Sequence, residues 1–301
     1  MTARQLRQIA VALAVVLFLW GLAEILARGS DTLTGDFKLP AVTAADVDTV
    51  RLVRPADTVV LAKRSTGSWS ANGFDASTDA VTGLFDAFSK STVTELSAQS
   101  AASHGRMGVD SARGKRFTFT RGGTVVDQLV VGERGPGYTG AYVRRPGNDD
   151  VYLVRGELAN MADRMLDDWR DKAIATIEPD SVQEVRIERR RGTTTLRRAD
   201  GGWRIGQAAA DSGAVRRMLE QWRNLSAAGF ATQPQMDSTD FRPPDRRVTL
   251  IGRQGPLVEL ALDSAAYWWW LQKASGGAIY RLESWRLDQL MPPDSALRAR
   301  Q

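Results

Sequence analysis

The sequence has no cysteine and a single histidine, His104. The first absence excludes disulfides, a lipid-modified cysteine anchor and thiolate metal or redox chemistry, and the second excludes a multi-histidine metal site. His104 follows Ser103 in "SAASHGRMG". Adjacent side chains rarely aim at one another and no Gly-x-Ser-x-Gly elbow is present, so His104 reads as a loop residue. Lysine is scarce too: six of the 40 basic residues, leaving 34 arginines to carry a formal charge of +5 and a pI near 9.7. Basic residues interleave with acids, as in "EVRIERRR", the pattern of a solvated surface, and no nucleic-acid recognition module is present. A formal dinucleotide fingerprint, Gly135-x-Gly137-x-x-Gly140, follows the strand-like "QLVVG". It leads into "AYVRR", another strand pattern, where the fingerprint needs a helix; it therefore reads as a hairpin loop. No cofactor and no metal are expected.

What the chain does have is length and hydrophobicity: 301 residues, 43% hydrophobic and 25% charged, enough for two ordinary domains. Ile9 to Leu26 form an apolar run broken only by Glu24, preceded by Arg4 and Arg7 and followed by Arg28. Eighteen residues at about 1.5 Å each just cross a hydrocarbon core. The positive-inside rule then keeps residues 1–8 in the cytoplasm, makes 9–27 a transmembrane anchor with 28–45 as linker, and exports the rest to the periplasmic side of the inner membrane. A cleaved signal peptide, with Gly21-Leu22-Ala23 as its small-residue site, is the competing expectation.

One pattern is written twice. "GSWSANGFDASTDAVTGLFDAFS" from Gly67 is echoed by "GGWRIGQAAADSGAVRRMLEQWR" from Gly201, pairing Trp69 with Trp203, Val81 with Val215, Leu84 with Met218, Phe85 with Leu219 and Phe88 with Trp222, always 134 apart. The last four of these positions fall at i, i+3, i+4 and i+7, an amphipathic helix. Upstream, "DTVRLVR" with "DTVVLAKR", and "QEVRIERR" with "TTTLRR", alternate in polarity as two hairpins, with Val50 matching Val185. Downstream, "KRFTFTRGGTVVDQLVVG" matches "RRVTLIGRQGPLVELALD", "AYVRR" matches "WWLQK", and Tyr152 matches Tyr280. Each copy ends in a helical segment, "GELANMAD" or "SWRLDQLM". Short turns between successive strands predict an α+β fold: two tandem, duplicated domains, each an antiparallel sheet with a packed helix. The expected domains are 46–172 and 184–292, with a linker at 173–183 and a tail at 293–301.

Trp69, "RMGVD" at Arg106 to Asp110, "AYVRR" followed by "VYLV", and "DDWRDK" at Asp167 to Lys172 resemble a bacterial family known only as a domain of unknown function. Its members carry an N-terminal membrane helix and one or more such repeats. The resemblance implies an accessory role in the cell envelope, beside ABC-transporter auxiliary or gliding-motility-type proteins. The second copy departs from the pattern, with "DFRPPD" in place of the glycine motif and no expected counterpart of "DDWRDK".

Two segments stand out as candidate interaction surfaces. In "SAAYWWWLQK" a strand would turn Tyr267 and Trp269 one way and Trp268 and Trp270 the other, so that one face is core and the other is either covered or an exposed aromatic patch. At the expected domain seam, Asp168, Arg170 and Lys172 offer charge. The sequence therefore predicts a non-enzymatic, membrane-anchored accessory or scaffold protein with an envelope or transporter partner. The alternative is an exported glycan-binding or glycan-hydrolysing protein, which needs two carboxyls facing each other across a cleft. The paired acids Asp149-Asp150 and Asp167-Asp168 are neighbours, a poor arrangement for that.

Overall fold

A computed structural model describes residues 37–199 and 201–299. The expected anchor at 9–27 lies outside the described residues; among them, no helix is long and apolar enough to cross a membrane. The chain divides into two units, Met1–Trp169 and Arg170–Gln301.

The first unit begins with alternating polarity. Strands β1 (Thr49–Val53) and β2 (Thr58–Lys63) pair antiparallel and turn Val50, Leu52, Val59 and Leu61 inward, all nearly fully buried. Short strands β3 (Trp69–Ala71) and β4 (Phe74–Asp75) follow, then helix α1 (Thr78–Lys90). The helix starts where the Ser77 hydroxyl accepts from the Ala80 amide, with Asp79 in its first turn and Lys90 in its last, each placed to suit the helix dipole. It ends at Ser91, which is extended and leads into β5 (Thr92–Ala98). After the one-turn α2 (His104–Met107) come β6 (Lys115–Arg121), β7 (Thr124–Arg134), β8 (Gly140–Arg144) and β9 (Val151–Arg155), then α3 (Leu158–Asp163) and α4 (Leu166–Trp169). The sheet order is β4-β3-β2-β1-β6-β7-β8-β9-β5. Val81, Leu84, Phe85 and Phe88 of α1 pack on one face, where Phe88 stands edge-on between Phe117 (5.3 Å) and Phe119 (5.0 Å). Each such buried ring contributes roughly 1.5–3 kcal/mol.

The second unit opens with β10 (Ala173–Ala175), β11 (Val182–Arg189), β12 (Gly192–Ala199), β13 (Gly202–Ile205), β14 (Ala208–Ala209) and α5 (Ser212–Glu220). It continues through β15 (Leu225–Ser226), β16 (Gly229–Phe230), α6 (Gln233–Ser238), β17 (Arg246–Gly252), β18 (Gly255–Ser264), β19 (Trp268–Lys273), β20 (Ile279–Glu283), α7 (Ser284–Leu290) and α8 (Asp294–Leu297). Its sheet order, β14-β13-β12-β11-β17-β18-β19-β20-β16, repeats the first unit's strand for strand. Both sheets are antiparallel with helices against them, an α+β architecture.

Each unit is closed by the same two contacts. The carbonyl of Trp169 accepts from the amide of Ser77, the N-cap of α1, at 2.9 Å; the carbonyl of Leu297 accepts from Asp211, the N-cap of α5, at 2.8 Å. Arg54, at the end of β1, donates to the Arg164 carbonyl beyond α3 (2.5 Å), and Arg189, at the end of β11, donates to the Pro292 carbonyl beyond α7 (3.0 Å). Trp169 and Leu297 lie 128 apart, as do Arg164 and Pro292, the same spacing as Tyr152 and Tyr280. Residues 294–297 are thus the second unit's counterpart of the "DDWRDK" segment, which the sequence did not lead us to expect. Leu297, in the expected tail, is fully buried. Its helix is a single turn with an aliphatic residue where the first unit has tryptophan, so sequence pattern alone hid it. Core residues also precede the expected domain starts: Val42 in the first unit, Ile174, Ile177 and Val182 in the second.

These contacts generate a test. Trp169→Ala lowers the stability of the first unit by about 3–5 kcal/mol and Leu297→Ala that of the second by about 2–5 kcal/mol, read by urea unfolding. An unchanged transition for Leu297→Ala would remove the final turn from the core.

Candidate functional site

Strand β19 turns alternate rings to opposite faces, as its period requires, and both faces are covered. Trp269 is half-buried against the main core, opposite Leu282, with the Arg246 guanidinium 4.5 Å from its ring centroid. Trp270 (7% exposed) and half-buried Trp268 face the other way, into a second small core with Ala231, Ile279, Met236 and Phe241. Their ring centroids lie 5.8 Å apart, edge to face. The cover on this face is α6 and the segment after it, neither the unit's long helix nor solvent, and it removes Trp270 from the expected interaction surface. The Trp268 indole Nε1 is buried with no hydrogen-bond partner among the described residues, while the Arg281 guanidinium lies 5.8 Å from its ring.

Tyr267 is the exposed member of the stretch, at 80%, with its ring centroid 6.3 Å from that of Trp268. The Ser284 hydroxyl donates to the Tyr267 carbonyl at 3.2 Å, tying the turn before β19 to the start of α7. The next residue, Trp285, is 60% exposed. Two exposed rings are therefore available at this end of the second sheet: Tyr267, backed by Trp268, and Trp285 at the start of α7. Sequence reasoning missed Trp285 because "SWRLDQL" reads simply as a closing helix.

The seam residues separate. Asp168 is exposed in the first unit, next to fully buried Trp169, whose indole donates to the Arg164 carbonyl at 3.2 Å. Arg170 and Lys172 are half-buried in the second unit. The Arg170 guanidinium lies 5.2 Å from the Phe230 ring, and the Lys172 carbonyl accepts from Ala227 at 2.8 Å just before β10 pairs with β15. The segment is the place where the chain passes from one core to the other.

The remaining candidates hold loops in place. The His104 imidazole Nε2 lies 2.9 Å from the Asp149 carbonyl, and the Asp150 amide donates to Asn148. Among the described residues no group of His, Cys, Asp and Glu is arranged to hold a metal. "RMGVD" packs Met107 and Val109 on Val130 and Val151, the first unit's equivalent of the small core under Trp268 and Trp270. Arg144 of "AYVRR" donates to the Val109 carbonyl at 2.7 Å, and a Cβ on Gly132 would stand 2.2 Å from the Met107 carbonyl, so glycine is required there. Asp110 accepts from the Arg113 and Ala112 amides, chiefly the former, which hold its carboxyl below the usual range.

A profile of the family described as a domain of unknown function, DUF4340, matches residues 69–244. That is 176 of 301 residues, from Trp69 of the first unit through α6 of the second. The chain belongs to the DUF4340 family. No curated protein and no solved structure matches it. The DUF4340 match includes the covering segment that ends at Pro244 and stops before β19, so the aromatic corner lies beyond the matched region.

Two perturbed carboxylates lie beside the aromatic strand: Asp263, opposite Trp270, whose carboxyl burial pushes up, and Asp245. Asp245 is the one that its partners hold low. It accepts from the Ser264 hydroxyl and, at 3.0 Å, the Ser264 amide, and pairs with Arg190; the Ser264 hydroxyl contact chiefly holds its carboxyl below the usual range. A folded-state pKa lowered in this way stabilises the fold above the unfolded value near 3.9 and is lost as pH falls through the folded value. Asp245→Asn therefore costs about 1–3 kcal/mol at pH 7, and the gap to the parent protein closes below pH 4 in pH-resolved urea melts. A gap independent of pH would show that the charge is not what stabilises.

Proposed function

We propose that this DUF4340 protein is an accessory or scaffold protein of the cell envelope, anchored in the inner membrane by the apolar run at 9–27, with two duplicated domains on the periplasmic side. The reading is non-enzymatic, and its partner is a protein of a transport or envelope-assembly complex. The observation that carries it is the exposed pair Tyr267 and Trp285. Large amphipathic rings are costly to leave in water and are the side chains that most often anchor protein contacts. Here the Ser284 hydroxyl, bonded to the Tyr267 carbonyl, ties the backbone of Tyr267 to the residue just before Trp285. Duplication fits a scaffold as well: the same strand order occurs twice, while the aromatic strand belongs to the second unit alone. The family resemblance points the same way.

A glycan is the competing occupant of the same rings. Crosslinking in intact cells from a photoreactive residue at position 267 or 285 distinguishes the two. The proposal expects one dominant protein adduct, a transporter or assembly subunit, lost in Tyr267→Ala and Trp285→Ala variants whose stability changes by no more than about 0.5 kcal/mol. Adducts unchanged by both substitutions would sink it. The topology is tested separately: externally added protease cleaves the domains only after the outer membrane is opened, and protection in opened cells would place them on the wrong side.

A further inference from the structure

The second unit contains a feature that the aromatic corner does not use. A cavity of about 380 Å³ lies where the β11–β12 turn meets the start of β17, lined by Arg189, Arg190, Arg191, Arg246, Asp245 and Trp269. A neighbouring cavity of about 630 Å³ shares Arg189, Arg190 and Asp245 as a common wall and adds Arg247 with Glu188, which lie 3.9 Å apart as an ion pair and add no net charge. Together they have the size of a small-ligand site.

The charges around the first cavity do not cancel. Arg189 is committed to the fold, through the Pro292 carbonyl, the Thr194 hydroxyl and Asp294 at 3.6 Å. Asp245 is the one carboxylate in the lining and is already engaged by Ser264 and Arg190. Arg191 and Arg246 have no carboxylate partner among the described residues. Arg246 is nevertheless held in place, stacked over Trp269 at 4.5 Å. Three arginines, Arg190, Arg191 and Arg246, thus face one carboxylate, leaving two uncompensated cations on a concave surface, an arrangement that focuses positive potential.

The first unit shows that the fold does not require this. Where the second unit's turn has Arg190 and Arg191, the first has Pro55, Ala56 and Asp57, the last paired with Arg54. Where the second has Arg246, the first has Lys115, which pairs with Asp163. Asp163 itself is replaced by Met291, 128 positions on, and Trp269 stands where the first unit has Ala141. Arg190 and Arg191 add cations, Met291 removes a partner and Trp269 adds a ring, while Arg246 keeps the charge of Lys115, all at one place in the same scaffold.

We propose that this cavity binds a phosphate-bearing ligand, held by Arg190, Arg191 and Arg246. A phosphomonoester carries between about −1.5 and −2 at pH 7 and offers three strong acceptor oxygens, which matches two uncompensated cations. Guanidinium groups present paired donors that fit phosphate in two-point contacts, and the Trp269 stack fixes one of them before binding. The ligand is either a soluble phosphomonoester or the headgroup of an anionic lipid; both present the same chemistry to the arginines. The site is independent of the protein-contact reading of Tyr267 and Trp285.

The test uses the full-length protein in maltoside micelles, titrated with glycerol 3-phosphate by calorimetry, with glycerol as the uncharged control. A second arm dopes the micelles with phosphatidic acid. The parent protein binds at least one of the two phosphates, Arg191→Gln and Arg246→Gln each weaken binding at least about tenfold, and Arg116→Gln in the first unit leaves it unchanged. Arg191 lies on an exposed turn, so its variant decides the matter if Arg246→Gln unsettles the fold. Binding of glycerol 3-phosphate assigns a soluble source; binding of doped micelles alone, with the same arginine dependence, assigns a lipid headgroup. No binding in either arm, or binding indifferent to Arg191 and Arg246, overturns the proposal.

Discussion

The structure depends on how each unit closes its central helix. A helix begins with amide groups that have no partner within the helix, and a buried one must be satisfied from elsewhere. In both units the partner of the N-cap amide is a carbonyl from the last turn of the unit, Trp169 for Ser77 and Leu297 for Asp211. The start of the helix and the closing turn of each unit are therefore held to one another in the folded protein. The arginine at the end of the first long strand, Arg54 or Arg189, secures the segment leading to it by donating to a carbonyl beyond the preceding helix. Strand order, helix placement and the small core on the opposite face of each sheet all fit inside this closure.

Sharing a closure lets the units diverge elsewhere. In the first, the charges around the β1–β2 turn are neutralised, with Arg54 on Asp57 and Lys115 on Asp163, and the small core buries Met107, Val109, Val130 and Val151, with Tyr142 packed against them where the second unit has Trp270. In the second, the corresponding turn gains arginines, the acid becomes Met291, and the small core takes on Trp268 and Trp270 under Phe241 and Met236. Cations and rings concentrated in one of two like scaffolds are what specialisation of that unit would produce.

Much of this was legible in the sequence. The hairpins showed as polarity at period two and the central helices as a four-position apolar stripe, because each is fixed by local spacing. The alternation of Tyr267 to Trp270 between two faces was legible for the same reason. What covers those faces was not: Phe241 reaches Trp268 and Trp270 through tertiary packing that no periodicity encodes. The final turn was hidden because Leu297 matches Trp169 in position but not in size. The arginine cavity was masked by the interleaved acids of "EVRIERRR", although the contrast of Arg190-Arg191 with Pro55-Ala56-Asp57 in the sister hairpin carried the signal.

Amide hydrogen exchange, followed residue by residue in the full chain, tests the shared closure most directly. If the two units close alike, the amides of Ser77 and Asp211 exchange as slowly as the core strands around them, because each is bonded to a buried terminal turn. Fast exchange at Asp211 with protection at Ser77 would contradict the account, since it would mean that the second unit ends before Leu297 and is not built as the first one is.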